Sequence, residues 1–170
     1  MFSPGIHDLA QRIIDGYSEK KWKIVTAESC TAGLVAAALT DISGSSNVVE
    51  RGFITYSNDA KVEVLAVLPE TIEEFGAVSE QTAEAMAQGA LEFSLADVAI
   101  SVTGIAGPSG GSTYKPVGMV CFGVATRTGA LFHYKAQFSG DRSDIREQAT
   151  HEALKLLMSF VDEGKDELYR

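Results

Sequence analysis

The chain has 170 residues, 45% hydrophobic and 22% charged, with a formal net charge of −9 at pH 7. That length favours one domain with room for a packed core. The negative charge argues against a nucleic-acid or anionic-membrane surface, although a local basic pocket could still hold one small anion.

No apolar run approaches the about 20 residues of a membrane span. The N-terminus, MFSPGIHDLAQRIIDGY, lacks the basic start, unbroken apolar stretch and small-residue cleavage site of a signal peptide. Cys30 and Cys121 lie in separate apolar segments and read as reduced thiols. A cytoplasmic protein is expected.

Residues 5–18 space Ile6, Leu9, Ile13 and Ile14 as an amphipathic helix. KWKIVTA (21–27) is rich in β-branched residues and predicts a strand. TAGLVAAALTDI (31–42) predicts an alanine-rich helix, broken by SGSS at 43–46. RGFITYS (51–57) predicts a strand, and NDAKVEVLAV (58–67) a short helix with Asn58 as N-cap. PETIEEFGA connects with one turn of helix. Ser79 caps a helix to about residue 94, with Ala83, Met86, Ala87, Ala90 and Leu91 facing inward.

DVAISVTGIAG (97–107) predicts a buried strand running into glycines. VGMVCFGVAT and ALFHYKAQF, separated by RTG, predict an antiparallel hairpin. Asp141 caps a last helix that turns Ile145, Ala149, Ala153, Leu156 and Leu157 inward, and a charged tail (162–170) is expected to fray. This order predicts an α/β fold: a three-layer α/β/α sandwich with a mixed sheet, its C-terminal β-hairpin followed by a helix. One domain over 1–170 is expected, with its core at about 5–161. Ligands of open α/β sheets bind beyond strand ends, and the unusual loops here (28–31, 57–61, 103–117, 139–146) all follow strands.

In ESCT (28–31), Ser29 and Cys30 are both potential nucleophiles at a strand-to-helix junction, where unpaired N–H groups can hold an oxyanion. Successive residues of an extended chain face opposite ways, so only one can face a given pocket. Capping the helix is the plainer use of Ser29 or Thr31. His7, His133 and His151 fall within predicted helices or a strand, which leaves a Cys–His pair or Ser–His–Asp triad poorly supported. Lys61 remains as a base if burial lowers its pKa, and Tyr56 is near it in sequence. A solvated helix lysine is the plainer reading.

TGIAGPSGGSTYKPVG (103–118) packs five glycines and two prolines between strands, which points to a binding loop, although it is not a P-loop. Arg142 and Arg146 lie four apart at the start of the last helix, where they oppose the macrodipole unless an anion or a surface ion pair compensates. No metal-ligand spacing is present, and no metal or cofactor is expected.

TAESCTAGL, SGSS, ERGFITYSNDAK, GAVSE, SVTGIAGPSGGS, KPVG and FSGDR occur in this order, and together they resemble the CinA C-terminal domain family and its stand-alone nicotinamide-nucleotide amidase (PncC) type. The resemblance runs from about residue 5 to 161; larger CinA proteins carry a further N-terminal domain, and none is expected here. It implies conversion of nicotinamide mononucleotide to nicotinate mononucleotide and ammonia. It implies Ser29 as nucleophile, Lys61 as base, and Tyr56 beside them. Substrate-binding groups are expected at Ser46, Thr103, Gly104 and Gly107, with Arg142 and Arg146 for the phosphate. Some family members have Ser where this chain has Thr103. A homo-oligomer acting on a small nucleotide is expected. The alternatives are a non-catalytic nucleotide-binding module of the same fold, or an amidase for a different amide.

Overall fold

The computed structural model describes residues 2–162; the expected tail beyond Asp162 lies outside them. The described residues form α1 (Pro4–Lys20), β1 (Ile24–Glu28), α2 (Leu34–Thr40), β2 (Val49–Ile54), α3 (Asn58–Leu65), α4 (Pro69–Phe75), α5 (Glu80–Glu92), β3 (Val98–Gly104), β4 (Met119–Thr126), β5 (Leu131–Gln137) and α6 (Arg142–Asp162). The five-stranded sheet has the order β2-β1-β3-β4-β5. β1 runs parallel to β2 and β3, while β3/β4 and β4/β5 are antiparallel. This is the mixed sheet with a C-terminal hairpin and following helix that the pattern predicts. Among the described residues no helix is long and apolar enough to cross a membrane.

The two faces of the sheet differ in side-chain size. Ile24, Val98, Ile100, Val102, Phe122 and Val124 meet the apolar stripes of α1, α2 and α6. The other face offers mainly small residues, Ala27, Ala99 and Ala125, to Met86, Ala87 and Ala90 of α5. Small residues let α5 approach closely: Ser101 Oγ donates to the Ala83 carbonyl at 2.6 Å, and a Cβ on Gly123 would lie 2.3 Å from that carbonyl oxygen.

The same closeness brings α3 onto α5. A Cβ on Gly89 would lie 1.9 Å from the Leu65 carbonyl oxygen. Gly89→Ala is therefore expected to destabilise the protein. The gain in helix propensity is at most about 1 kcal/mol, whereas a clash with backbone, which has no rotamer to yield, costs about 1–3 kcal/mol or more. The denaturant midpoint measures the difference, and an unchanged or higher midpoint would contradict this packing.

Several local expectations shift, beginning with β1, which runs 24–28 rather than 21–27. The predicted helix at 31–42 begins only at Leu34, because the chain first makes a turn in which Ala32 (φ 48°) and Gly33 (φ 98°) are left-handed. The predicted strand at 51–57 is β2 at 49–54, leaving 55–57 as the approach to α3. Ser57, not Asn58, is the N-cap of α3: its backbone is extended and its hydroxyl accepts from Ala60 N–H. The segment at 69–75 forms a full helix, α4, rather than one turn. Ser79 caps α5 through Thr82 N–H as predicted. Asp141 caps α6 through Ser143 N–H and Asp144 N–H.

Candidate active site

The chain leaves β1 for β2 on one side and later returns as β3 on the other, so the carboxyl ends of β1 and β3 form a topological switch point. Ser29 is the first residue past β1. Its N–H donates to the Val102 carbonyl at 2.9 Å, which ties it to β3. Alternation sends Cys30 the other way, into the core shared with α1, α2 and α6. Burial pushes the Cys30 thiol up to about 12, so it is protonated at neutral pH.

Glu28, on the face opposite Ser29, is buried beneath the turn. Its carboxylate accepts from the N–H groups of Gly33, Val35 and Ala36 at 2.9–3.1 Å. It thus does the work of an N-cap for α2, whose own N-cap, Gly33, has no side chain to offer. With those bonds satisfied, it makes no ion pair with Lys61.

Lys61 is 1% exposed. Its Nζ lies 3.1 Å from Ser29 Oγ, 2.9 Å from the Thr55 carbonyl and 3.4 Å from the Tyr56 carbonyl. Burial lowers its pKa from the ordinary lysine value. Among the described residues no carboxylate pairs with it. Ser29 and Lys61 face a cleft of about 230 Å³, whose lining also includes Tyr56, Asn58, Ala77, Val78, Thr103 and Arg142.

Thr103 Oγ1 donates to the Ala77 carbonyl at 2.8 Å, holding that wall against the end of β3. Lys115 Nζ, from the glycine-rich loop, donates to the Phe75 carbonyl at the end of α4. Arg142, the first residue of α6, donates to the Gly107 carbonyl at 2.8 Å and to Tyr56 Oη at 3.1 Å. One arginine therefore joins the glycine loop, the tyrosine and the mouth of the cleft.

A model of the CinA C-terminal domain family matches residues 6–161. The chain belongs to the CinA C-terminal domain family. It is 54% identical over 144 residues to the nicotinamide-nucleotide amidohydrolase PncC of Enterobacter agglomerans, covering 85% of this chain and 88% of that protein. It is also 54% identical over 141 residues to a CinA-like protein of Mycolicibacterium gilvum, covering 83% of this chain but 33% of that longer protein. The crystal structure of the competence/damage inducible protein CihA from Agrobacterium tumefaciens superposes with a TM-score of 0.92 at 49% identity, covering 94% of this chain and 97% of that one.

In this CinA domain the fold gathers Ser29, Tyr56, Lys61, Thr103, Gly104 and Arg142 along one cleft. Gly107 meets it through the carbonyl that Arg142 holds. Two expected residues stand elsewhere. Ser46 is exposed in a 3-10 turn before β2, at the end of the sheet opposite Ser29. Arg146 turns away from the cleft and donates to the carbonyls of Cys30 and Thr31. Asn58, Ala77 and Val78 are lining residues that the site reading did not single out; GAVSE (76–80) was the available signal for the last two.

Proposed function

We propose that this CinA domain is a nicotinamide-nucleotide amidohydrolase that converts nicotinamide mononucleotide to nicotinate mononucleotide and ammonia through Ser29 and Lys61. The observation that carries the chemistry is a buried lysine amine 3.1 Å from a serine hydroxyl, with no carboxylate among the described residues paired to it. The relatives named as amidohydrolases supply the substrate class.

A neutral amine has two N–H bonds and one lone pair. The Thr55 and Tyr56 carbonyls can only accept, so they take the two N–H bonds. The lone pair then faces Ser29 and accepts its O–H. As Ser29 Oγ attacks the carboxamide carbon, its proton passes to Nζ, and a tetrahedral oxyanion forms. The Lys61 ammonium gives that proton to the leaving nitrogen, the C–N bond breaks, and ammonia departs from an ester on Ser29. Water, deprotonated by neutral Lys61, attacks the ester; the acyl–Oγ bond breaks, the Lys61 ammonium returns its proton to Ser29, and nicotinate mononucleotide leaves after its carboxyl proton passes to solvent or ammonia. Nζ reaches Ser29 directly, so no relay through the Tyr56 phenol is needed. The phenol instead bonds Arg142 at the mouth.

For the phosphate, Ser143 N–H and Asp144 N–H of α6 are taken by Asp141, and the exposed Arg142 guanidinium, which now bonds the Gly107 carbonyl and Tyr56 at the cleft mouth, is the cationic group that meets the anion. A charge-assisted hydrogen bond is worth about 1.5–3 kcal/mol. Arg142→Ala is therefore expected to lower kcat/KM for the nucleotide by roughly 10–150-fold and to leave the weak activity on the nucleoside nearly unchanged. Steady-state rates on both substrates test this. Equal losses on the two would place the phosphate elsewhere, and a wild-type enzyme that prefers the nucleoside would overturn the nucleotide reading.

A further inference from the structure

Arg146 lies one helical turn beyond Arg142, yet it borders a different recess, with Phe2, Ile6, Leu34 and Glu147. Its Nε donates to the Cys30 carbonyl at 3.0 Å and its terminal nitrogen to the Thr31 carbonyl at 3.2 Å. One planar fork thus grips two successive peptide units of the turn that follows Ser29.

In a trans peptide the C=O and N–H of one unit point in opposite directions. The Cys30 carbonyl shares its unit with Thr31 N–H, and the Thr31 carbonyl shares its unit with Ala32 N–H. A guanidinium that collects both carbonyls, with Leu34 N–H also donating to the Thr31 carbonyl at 3.1 Å, therefore turns both N–H groups to its far side. There, Ala32 N–H donates to the Ser29 carbonyl at 3.0 Å. That bond orients the Ser29–Cys30 unit and with it Cys30 N–H.

Glu28 collects the N–H groups of Gly33, Val35 and Ala36 but not those of Cys30 or Thr31. Among the described residues neither Cys30 N–H nor Thr31 N–H donates to a carbonyl or side-chain oxygen, and Cys30 N–H meets only its own sulfur, although both residues are buried. Buried N–H groups without an acceptor are rare. These two adjoin a serine whose own N–H is committed to Val102.

We infer that Arg146 is a positioning residue: by holding the Cys30 and Thr31 carbonyls it keeps the N–H groups of Cys30 and Thr31 free and aimed as the oxyanion hole of the Ser29 reaction. Its charge on the carbonyl side also polarises the peptide units and strengthens their N–H groups as donors. The role is distinct from phosphate binding, and it rests on the acyl-transfer reading above.

The test compares Arg146→Lys and Arg146→Ala with wild type in three measurements: kcat and KM for nicotinamide mononucleotide, affinity for nicotinate mononucleotide, and affinity for the matching nucleotide aldehyde. The aldehyde adds Ser29 Oγ to its carbonyl carbon, and the oxygen then occupies the hole. Lysine can reach one carbonyl but cannot reproduce the fork, so kcat is expected to fall about 10-fold for Arg146→Lys and about 10²-fold for Arg146→Ala, with KM within about twofold. Aldehyde affinity should fall in step with kcat while nicotinate mononucleotide affinity holds, and added guanidinium should restore part of the Arg146→Ala rate. Should Arg146→Ala fail to fold, Arg146→Lys carries the comparison. Equal losses for aldehyde and nicotinate mononucleotide, or an unchanged kcat in Arg146→Lys, would overturn the inference. Wild-type protein that releases no ammonia would instead overturn the amidase reading on which it rests.

Discussion

Replacing Ser29 with alanine is expected to abolish ammonia release, a loss on the order of 10⁴–10⁶ in kcat, the scale seen when a hydrolase loses its nucleophile. Cys30→Ala, one residue away, should retain activity to within a few-fold and lose about 1 kcal/mol of stability from reduced burial. The difference lies in which face each residue joins. Ser29 sits in the cleft against Lys61 Nζ, whereas the Cys30 side chain packs in the core with its thiol pushed up to about 12. A thiol held protonated is a poor nucleophile. Saturating rates on both variants decide the matter. Retained activity in Ser29→Ala, or thiol-reagent inactivation that Cys30→Ala prevents, would reassign the nucleophile.

Lys61→Ala is expected to lose about 10²–10⁴ in rate, the usual range for a general base. Lys61→Arg should not recover it, because a guanidinium stays protonated. Since Lys61 must be neutral to accept the serine proton, kcat/KM should fall as pH drops through its pKa. Burial lowers that pKa, so this acid limb should lie below the ordinary lysine value of about 10.4. Stability follows the same sign. Unfolded lysine binds its proton more tightly than buried Lys61, so the unfolded state holds more protons between the lowered pKa and the ordinary one. Folding stability should therefore decrease as pH falls across that window. Lys61→Met should lose both the acid limb and this part of the stability profile. A rate profile identical in Lys61→Met and wild type would assign the base elsewhere. EDTA should leave the wild-type rate unchanged, and activity that disappears with chelator and returns with a divalent ion would contradict this mechanism.

The strand and helix order was legible because β-branched runs alternate with alanine-rich or amphipathic segments, and the switch point after β1 follows from that order. The start of α2 was not legible. TAG reads as helix from its composition, but Glu28, a strand residue, supplies the cap from below, and Ala32 and Gly33 turn left-handed to reach it. Ser57 and Asn58 are both good caps, and only the extended backbone of Ser57 separates them.

Within the site, Ser29 and Lys61 could each be placed at a strand-to-helix junction. Their 3.1 Å approach across 32 positions depends on α3 resting against α5 through Gly89, which no local pattern encodes. The four-residue spacing of Arg142 and Arg146 suggested one shared anion site. In the fold their long side chains diverge, one to Tyr56 and Gly107, the other to the turn after Ser29. Ser46 was drawn into the site by resemblance, and the parallel register of β1 with β2 sets it at the other end of the sheet.

Ammonia released from nicotinamide mononucleotide, nicotinamide and glutamine under identical conditions tests the central claim most directly. The Ser29–Lys61 pair with Arg142 at the cleft mouth predicts one ammonia per nicotinate mononucleotide formed, and far slower release from the two amides that lack a phosphate. Faster release from nicotinamide or glutamine, or none from any of the three, would contradict it.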